Sequence, residues 1–258
     1  MPDFDATAPT FDLYRALPRG VPEAIRSAIL ASIPAPSLPR VLDLGAGTGR
    51  IGKAFVAAGD AYVGVDLSLQ MLRQFAAPTG AKGGRGPRLA QADAEQLPFC
   101  DAAFDVVLLI QVLSGARRWE RLLGEARRVL RARGALVVGQ AAASQVGIDA
   151  QLKSRLATIL EEHRVGPHQP KQSREEAFSW LESVTRRRVS VVAASWTADR
   201  TPREFMARHR TGARFGTLPT AIQEEALRQL SAWAEAKFGS LDARFTETHS
   251  FGLDMFVF

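Results

Sequence analysis

The sequence contains one cysteine, Cys100, and no apolar run long enough to cross a bilayer. A single cysteine cannot form an internal disulfide or a multi-cysteine metal site, and the four histidines show no metal-ligand spacing. The longest apolar stretch, around Val106–Leu113, is far shorter than the roughly 20 residues that a membrane helix needs. The chain also begins without the basic and apolar segments of a signal peptide. We therefore expect a cytoplasmic protein with no bound metal and no membrane span.

The composition is that of an ordinary globular protein. The chain has 258 residues, of which 46% are hydrophobic and 23% are charged, enough to bury the core of one large α/β domain. Its formal net charge is +6, which permits binding to nucleic acid or to an anionic ligand. The arginines, however, are scattered among acidic residues and alanines, a pattern more typical of a solvated surface.

Short apolar strands alternate with helices from Arg40 onward. The patterns predict strands at 40–44, 61–65, 88–91, 104–113 and 135–139, and helices at 51–58, 69–76 and 119–130. Ser68 is expected to cap the second of these helices and Gly134 to end the third, while 80–87 is expected to be a loop. This alternation implies right-handed crossovers and a doubly wound sheet.

The flanking regions are less regular. Residues 12–33 are predicted to be helical, with an interruption at 18–20 and a rigid linker at 34–39. In the second half we expect helices at 148–163, 174–184, 202–210 and 219–238, and a strand at 189–196. The chain closes on alternating apolar residues that predict a final strand at 251–257, with a turn-forming Gly252 near its start. No domain boundary is evident.

The most informative segment runs from Val41 to Arg50. A short apolar strand leads into a glycine-rich turn and then a helix, and such glycines let a ligand approach the main chain closely. A dinucleotide fingerprint in the correct phase would place its glycines at 45, 47 and 50, but residue 50 is arginine. The other pattern, an acid followed by alternating glycines, is complete: Asp43, Gly45, Gly47 and Gly49.

Three further segments follow in the matching order. Val63–Asp66 is a strand that ends in an acid, Ala92–Phe99 carries an early aspartate, and Phe104–Val107 opens a buried strand that is followed by the helix and strand at 125–139. Together with the glycine motif, these segments resemble the class I S-adenosylmethionine-dependent methyltransferases. The resemblance covers about residues 40–140 and is closest to the small-molecule branch that includes quinone-biosynthesis enzymes.

The resemblance implies a fold and a cofactor site. The fold is a Rossmann-like, seven-stranded, mostly parallel sheet with helices on both faces, an antiparallel last strand and extra helices capping the ligand edge. Asp43 is expected to support the site from beneath, while Asp66 binds the ribose of S-adenosylmethionine through its hydroxyls. The other implied cofactor-binding residues are Gly45, Ala46, Gly47 and Gln111 at the methionine part, Leu67, Met71, Asp93 and Ala94 around the adenine, and Tyr14 and Arg19 as candidates for the methionine carboxylate.

We therefore expect a single methyltransferase domain over 1–258, with an N-terminal helical lid at 1–38, a cofactor-binding core at 39–140 and substrate-side helices and final strands at 141–258. The expected reaction is in-line methyl transfer to an unidentified, small-molecule acceptor. No residue is marked as a general base, and the oligomeric state is not readable. The alternatives are a tRNA or rRNA methyltransferase, a nicotinamide-dependent dehydrogenase and a non-catalytic S-adenosylmethionine-binding protein.

Overall fold

The computed structural model describes residues 4–33, 36–77, 86–113, 116, 118–165, 170–210, 212 and 215–258. The chain falls into two compact units. The sheet unit comprises Ala16–Ala141, Pro170–Ala194 and Phe251–Phe258. The helical unit comprises Met1–Arg15, Ala142–Gln169 and Ser195–Ser250.

A sheet of seven strands runs through the described residues. In chain order the strands are β1 (Arg40–Leu44), β2 (Ala61–Asp66), β3 (Arg88–Gln91), β4 (Phe104–Ile110), β5 (Leu130–Ala143), β6 (Arg187–Arg200) and β7 (Phe245–Val257). Their spatial order is β3-β2-β1-β4-β5-β7-β6. Strands β1 to β5 pair in parallel, and the last strands are antiparallel. The predicted Rossmann-like sheet is thus confirmed.

The helices follow the predicted rhythm closely. They are α1 (Phe4–Arg15), α2 (Val21–Ser32), α3 (Gly52–Ala57), α4 (Leu69–Ala76), α5 (Trp119–Val129), α6 (Ile148–Glu162), α7 (Pro170–Val184), α8 (Pro202–Arg210) and α9 (Thr220–Phe238). The predicted N-cap is present, since the Ser68 side chain accepts from the Met71 N–H at 3.1 Å. Within the described ranges, no helix is both long and apolar enough to cross a membrane.

The central strands are buried on both faces because βα crossovers place helices on each side. Leu42 of β1 and Val107 of β4 lie in one apolar cluster with Leu123 of α5 and Leu181 of α7. Alternate residues of these strands, such as Val106, are also fully buried and point to the opposite face. This two-sided burial fixes the carboxyl ends of the strands, where ligands of open α/β sheets bind.

The helical unit has its own apolar core. It is formed by one face each of α6, α8 and α9, whose buried members include Leu152, Leu156, Phe205, Ala226 and Leu230. The predicted bounds of α8 match the structure, and those of α6 and α9 differ by a single residue. The sequence patterns in this part of the chain therefore predicted the positions of these three helices correctly.

Several local predictions were wrong. Helix α5 ends at Val129 instead of at Gly134, because the backbone of Leu130 is already extended, and Gly134 lies inside β5. Gly252 lies within β7, which begins at Phe245, and does not form a turn. Strand β4 ends at Ile110, and the first helix begins at Phe4, well before residue 12. Residues 34–35 of the predicted linker and 80–85 of the predicted loop lie outside the described residues.

Candidate functional site

The turn after β1 is built on glycines with a left-handed backbone. The φ angle is +75° at Gly45, +55° at Gly47 and +78° at Gly49, and residues with a Cβ adopt such angles only at a cost in free energy. At the start of the turn, the N–H groups of Gly45 and Ala46 donate to the Val65 carbonyl at 2.8 and 2.9 Å. The turn is thereby fixed to the end of β2.

The three turn glycines differ in their surroundings. A Cβ at Gly45 would overlap the Val112 side chain, and one at Gly49 would overlap the Phe75 ring. A Cβ at Gly47 would meet, among the described residues, only the Gly45 carbonyl oxygen at 3.9 Å. Packing therefore requires glycine at 45 and 49, whereas Gly47 leaves its backbone open. An open main chain at this edge fits a nucleotide-type cofactor that lies against the turn.

Asp66 ends β2 and faces the same turn. Its Oδ2 accepts from the Gly47 N–H at 2.9 Å, and its Oδ1 accepts from the Ser68 N–H at 2.9 Å. A carboxylate offers about four acceptor positions, so half-buried Asp66 can also accept from ligand hydroxyls. This arrangement suits the acid that binds a ribose at the end of the second strand.

Asp43 lies in the core beneath the turn. Burial raises the pKa of this carboxyl to about 7, a hydrogen bond from Tyr62 opposes the rise, and the nearby Asp66 charge adds to it. The Tyr62 hydroxyl donates to Asp43 Oδ2 at 2.7 Å. The same burial, together with Asp43, raises the pKa of Tyr62. Asp43 is 3% exposed, so it can support a ligand only indirectly.

The loop after β3 brings Asp93 and Ala94 to the Asp66 side of the site. The Ala92 N–H donates to the Asp66 carbonyl at 3.1 Å, which joins the ends of β2 and β3. Asp93 Oδ1 accepts from the Glu95 N–H at 2.8 Å. Asp93 therefore holds its own turn, as a loop aspartate commonly does, while both Asp93 and Ala94 are half-buried.

Leu67 and Met71 flank the end of β2 in different ways. Leu67 is 45% exposed, and its carbonyl accepts from Gln91 Nε2 at 2.9 Å. Met71 is only 3% exposed because it lies on the inner face of α4. Leu67 therefore presents apolar surface at the end of β2, whereas Met71 packs in the core. Contact of either residue with adenine stays a prediction.

Gln111 directly follows β4 and carries an unusual backbone. Its φ is +60°, and its N–H donates to the Gly139 carbonyl at 2.8 Å. Arg50, which follows the glycine turn, donates through its guanidinium to Gln111 Oε1 at 2.5 Å. The pair joins the ends of β1 and β4, a strained and exposed position of the kind often found at functional sites.

Tyr14 and Arg19 are not brought to this site by the described contacts. Tyr14 lies on α1 in the helical unit and is 40% exposed. Arg19 lies in the exposed turn that precedes α2, in the sheet unit. Their predicted contact with a methionine carboxylate stays a prediction.

Two residues of the site were missed by sequence reasoning. Tyr62 gave no signal beyond strand alternation, because its partner Asp43 lies on a neighbouring strand. Arg50 occupies the position where a dinucleotide fingerprint needs glycine, and its contact with Gln111 spans 61 residues of sequence. Only the arrangement of β1 beside β2 and β4 reveals either pair.

The fold and the site define an α/β protein of the nucleotide-binding type, with a glycine turn after β1 and an acid after β2. Residues 42–138 match the methyltransferase domain family. This match includes the glycine turn and the ends of the strands that form the site, and it agrees with the resemblance that the motifs predict.

Similar proteins agree with this domain. A demethylmenaquinone methyltransferase of Thermobifida fusca is 36% identical over 136 residues, which are 52% of this chain and 58% of the relative. A malonyl-[acyl-carrier protein] O-methyltransferase of Geobacter sulfurreducens is 37% identical over 131 residues, covering 49% of this chain and 47% of the relative. The chain therefore spans only about half the length of these relatives.

Among solved structures, the YcgJ protein of Bacillus subtilis matches with a TM-score of 0.55 and 18% sequence identity. The match covers 90% of this chain and 96% of that protein. At this identity the likeness concerns the fold.

Proposed function

We propose that the protein is an S-adenosylmethionine-dependent methyltransferase acting on a small-molecule acceptor. The observation that carries the proposal is the hydrogen bond from the Gly47 N–H to Asp66, which places an open main chain beside a carboxylate at the edge of the sheet. The methyltransferase domain over residues 42–138 supports the choice of cofactor.

In this proposal, different parts of S-adenosylmethionine contact different residues of the glycine turn and of the ends of β2 and β3. Gly45, Ala46 and Gly47 line the methionine part, and Asp66 accepts from the ribose hydroxyls. Leu67, Asp93 and Ala94 flank the adenine, Met71 supports this part of the site from the core, and Gln111 lies at the methionine end. Tyr14 and Arg19 are the candidates for pairing with its carboxylate, which an arginine can do through two parallel hydrogen bonds.

The bound cofactor would supply a sulfonium methyl that is already activated. The work of this chain is then to align the acceptor with that methyl in line and to exclude water. A proton acceptor is required only when the acceptor arrives protonated. Asp43 does not serve as one here, since it is buried beneath the turn and bonded to Tyr62.

The acceptor is proposed to be a small organic nucleophile. The names of the two relatives indicate different acceptors, demethylmenaquinone and malonyl-[acyl-carrier protein], so the likeness supports a methyltransferase without selecting one acceptor. Residues 141–258 are proposed to select the acceptor and 1–38 to form a helical lid, within one domain over 1–258. A cytoplasmic location is part of the same proposal.

An RNA methyltransferase and a non-catalytic cofactor-binding protein are the alternatives. The net charge of +6 permits RNA binding, and such binding would weaken steeply with salt if several phosphates were contacted. Cofactor binding without transfer of its methyl group to any acceptor would favour the non-catalytic alternative.

Calorimetric titration of the wild-type chain with S-adenosylmethionine, S-adenosylhomocysteine and NAD tests the proposal. We expect the first two to bind and NAD not to bind. A second experiment uses methyl-labelled S-adenosylmethionine and measures transfer of the label to candidate acceptors: phenols, carboxylic acids, amines and total tRNA. Binding of NAD alone would overturn the proposal, and transfer to tRNA alone would favour the RNA alternative.

A further inference from the structure

Glu247 is a buried carboxylate in the helical unit that the proposed cofactor site does not use. It lies on β7, is 4% exposed, and its Oε1 accepts from the Asp149 N–H at 3.1 Å, at the start of α6. A Cβ at position 147 would overlap this carboxylate, so Gly147 leaves the space that Glu247 occupies. One carboxylate oxygen is thus fixed by the backbone of a helix terminus, where negative charge is favoured.

The second oxygen of Glu247 points toward His249. His249 lies two residues further along β7, on the same face of the strand, and is 5% exposed. Its Nε2 is 3.9 Å from Glu247 Oε2, too far for a hydrogen bond. The Trp196 ring stacks on the imidazole, with centroids 5.7 Å apart and planes at 14°. Burial, and then the charge of Arg200, lower the pKa of His249, so the imidazole is neutral at pH 7.

Arg200 completes the cluster from β6. Its position has the same parity along β6 as Trp196, so both side chains leave the strand on one face. Burial and then the charge of Arg208 lower the pKa of Arg200, while the Glu247 charge opposes this shift. Arg208 itself donates to both oxygens of Asp149, at 2.6 and 2.8 Å. Arg200 thus lies within electrostatic range of Glu247 and His249, as well as of Asp149 and Glu204.

Three buried polar atoms of this cluster lack a hydrogen-bond partner among the described residues: Glu247 Oε2, His249 Nε2 and Arg200 Nε. Burying such atoms unpaired costs free energy, so a native cluster of three calls for a partner. Their chemistry restricts what that partner can be. The glutamate oxygen only accepts, the arginine Nε only donates, and a neutral imidazole nitrogen does either.

We propose that Glu247, His249 and Arg200 form a subsite within the helical unit that binds the hydroxyl group of a small organic ligand. A hydroxyl donates one hydrogen bond and accepts others, so it can pair with the glutamate and the arginine at once. An anion would be repelled by Glu247, and a cation by Arg200. Because Trp196 adds an aromatic surface at His249, the ligand class is an aromatic alcohol.

Phenol and its methyl ether, anisole, are the matched probes. Calorimetric titration of the full chain should give saturable phenol binding and no anisole binding at the same concentrations. Tryptophan fluorescence excited at the red edge should change with phenol, and Trp196→Phe should remove that change. Glu247→Gln keeps the side-chain shape and should weaken phenol binding about tenfold or more, because a hydrogen bond to a charged acceptor is lost.

Glu224→Gln is the control, since Glu224 is an exposed carboxylate on α9 of the same unit. This variant should bind phenol with the affinity of the wild type. Equal binding of phenol and anisole, no phenol binding, or wild-type phenol affinity in Glu247→Gln would overturn the subsite. Urea unfolding of Glu247→Gln verifies that the variant folds. Titration of the same samples with S-adenosylhomocysteine reports on the cofactor site alone. Loss of that binding with phenol binding intact would overturn the proposed function and leave the hydroxyl site standing.

Discussion

The Gly47 N–H and the Asp66 carboxylate are joined by a hydrogen bond of 2.9 Å, across the carboxyl ends of β1 and β2. This contact ties the one turn glycine whose backbone is open to the one acid that ends β2. It therefore places hydrogen-bond acceptors for a ribose beside main chain that a ligand can approach. Substitutions at either residue should affect cofactor binding more than they affect folding.

Gly47→Ala separates these two effects. With φ of +55° at Gly47, an alanine should cost about 1–2 kcal/mol of folding free energy, and its Cβ would fill the open space above the turn. We expect S-adenosylhomocysteine affinity to fall about tenfold or more. Gly59→Ala is the matched control, since Gly59 has φ of +79° and an added Cβ there would meet no described residue within 4 Å. Equal affinity losses in the two variants would contradict the account.

Asp43 should make stability depend on pH. Its pKa of about 7 lies above the unfolded value, so the folded state holds a proton that the unfolded state releases from about pH 4 upward. Stability from this group is fully present below the unfolded pKa and is lost as pH rises toward 7. Between pH 5 and 8 the wild type should lose about 2–3 kcal/mol of unfolding free energy relative to Asp43→Asn. Urea unfolding at both pH values measures the difference, and parallel curves would contradict it.

Arg128 holds the loop that follows β3 against α5. It donates to both Glu125 oxygens at 2.7 and 2.8 Å and to the Phe99 and Leu97 carbonyls at 2.7 and 3.1 Å. The Glu125 carboxylate also accepts from the Leu97 N–H at 2.7 Å. Arg128→Ala removes this bridge and leaves the two loop carbonyls without that donor.

We therefore expect Arg128→Ala to lower the free energy of unfolding by about 1–3 kcal/mol. Because the same loop carries Asp93, cofactor affinity should also fall severalfold. Arg121→Ala, at an exposed position of α5, should change neither quantity beyond about 0.5 kcal/mol. Urea unfolding and calorimetry on the same preparations test both effects. An unchanged affinity in a destabilised Arg128→Ala would show that the loop does not contribute to the site.

The parts of the structure that depend on local pattern were predictable from the sequence. The glycine turn, the Ser68 cap and Asp66 at a strand end all follow from residues that are close together along the chain. Contacts between strands were not predictable, as the Arg50–Gln111 and Tyr62–Asp43 pairs illustrate, because they depend on sheet order. Gly134 and Gly252 were predicted wrongly because a glycine can lie within a strand as well as in a turn.

The buried cluster at Glu247 was equally hidden from sequence reasoning. Its members come from β6 and β7, where strand alternation indicates a shared face but does not reveal which polar atoms lack partners. The requirement for glycine at position 147 is also absent from any local pattern, because it arises from the Glu247 carboxylate, which occupies the space that a side chain at 147 would fill.

Calorimetric titration of S-adenosylhomocysteine into wild type, Asp66→Asn and Glu120→Gln tests the central claim most directly. Asparagine keeps the shape of Asp66 but removes its charge, which should weaken binding roughly ten- to a hundredfold. Glu120→Gln, at an exposed position of α5, should bind like the wild type. Equal affinity of Asp66→Asn and wild type would contradict the assignment of the cofactor site to the ends of β1 and β2.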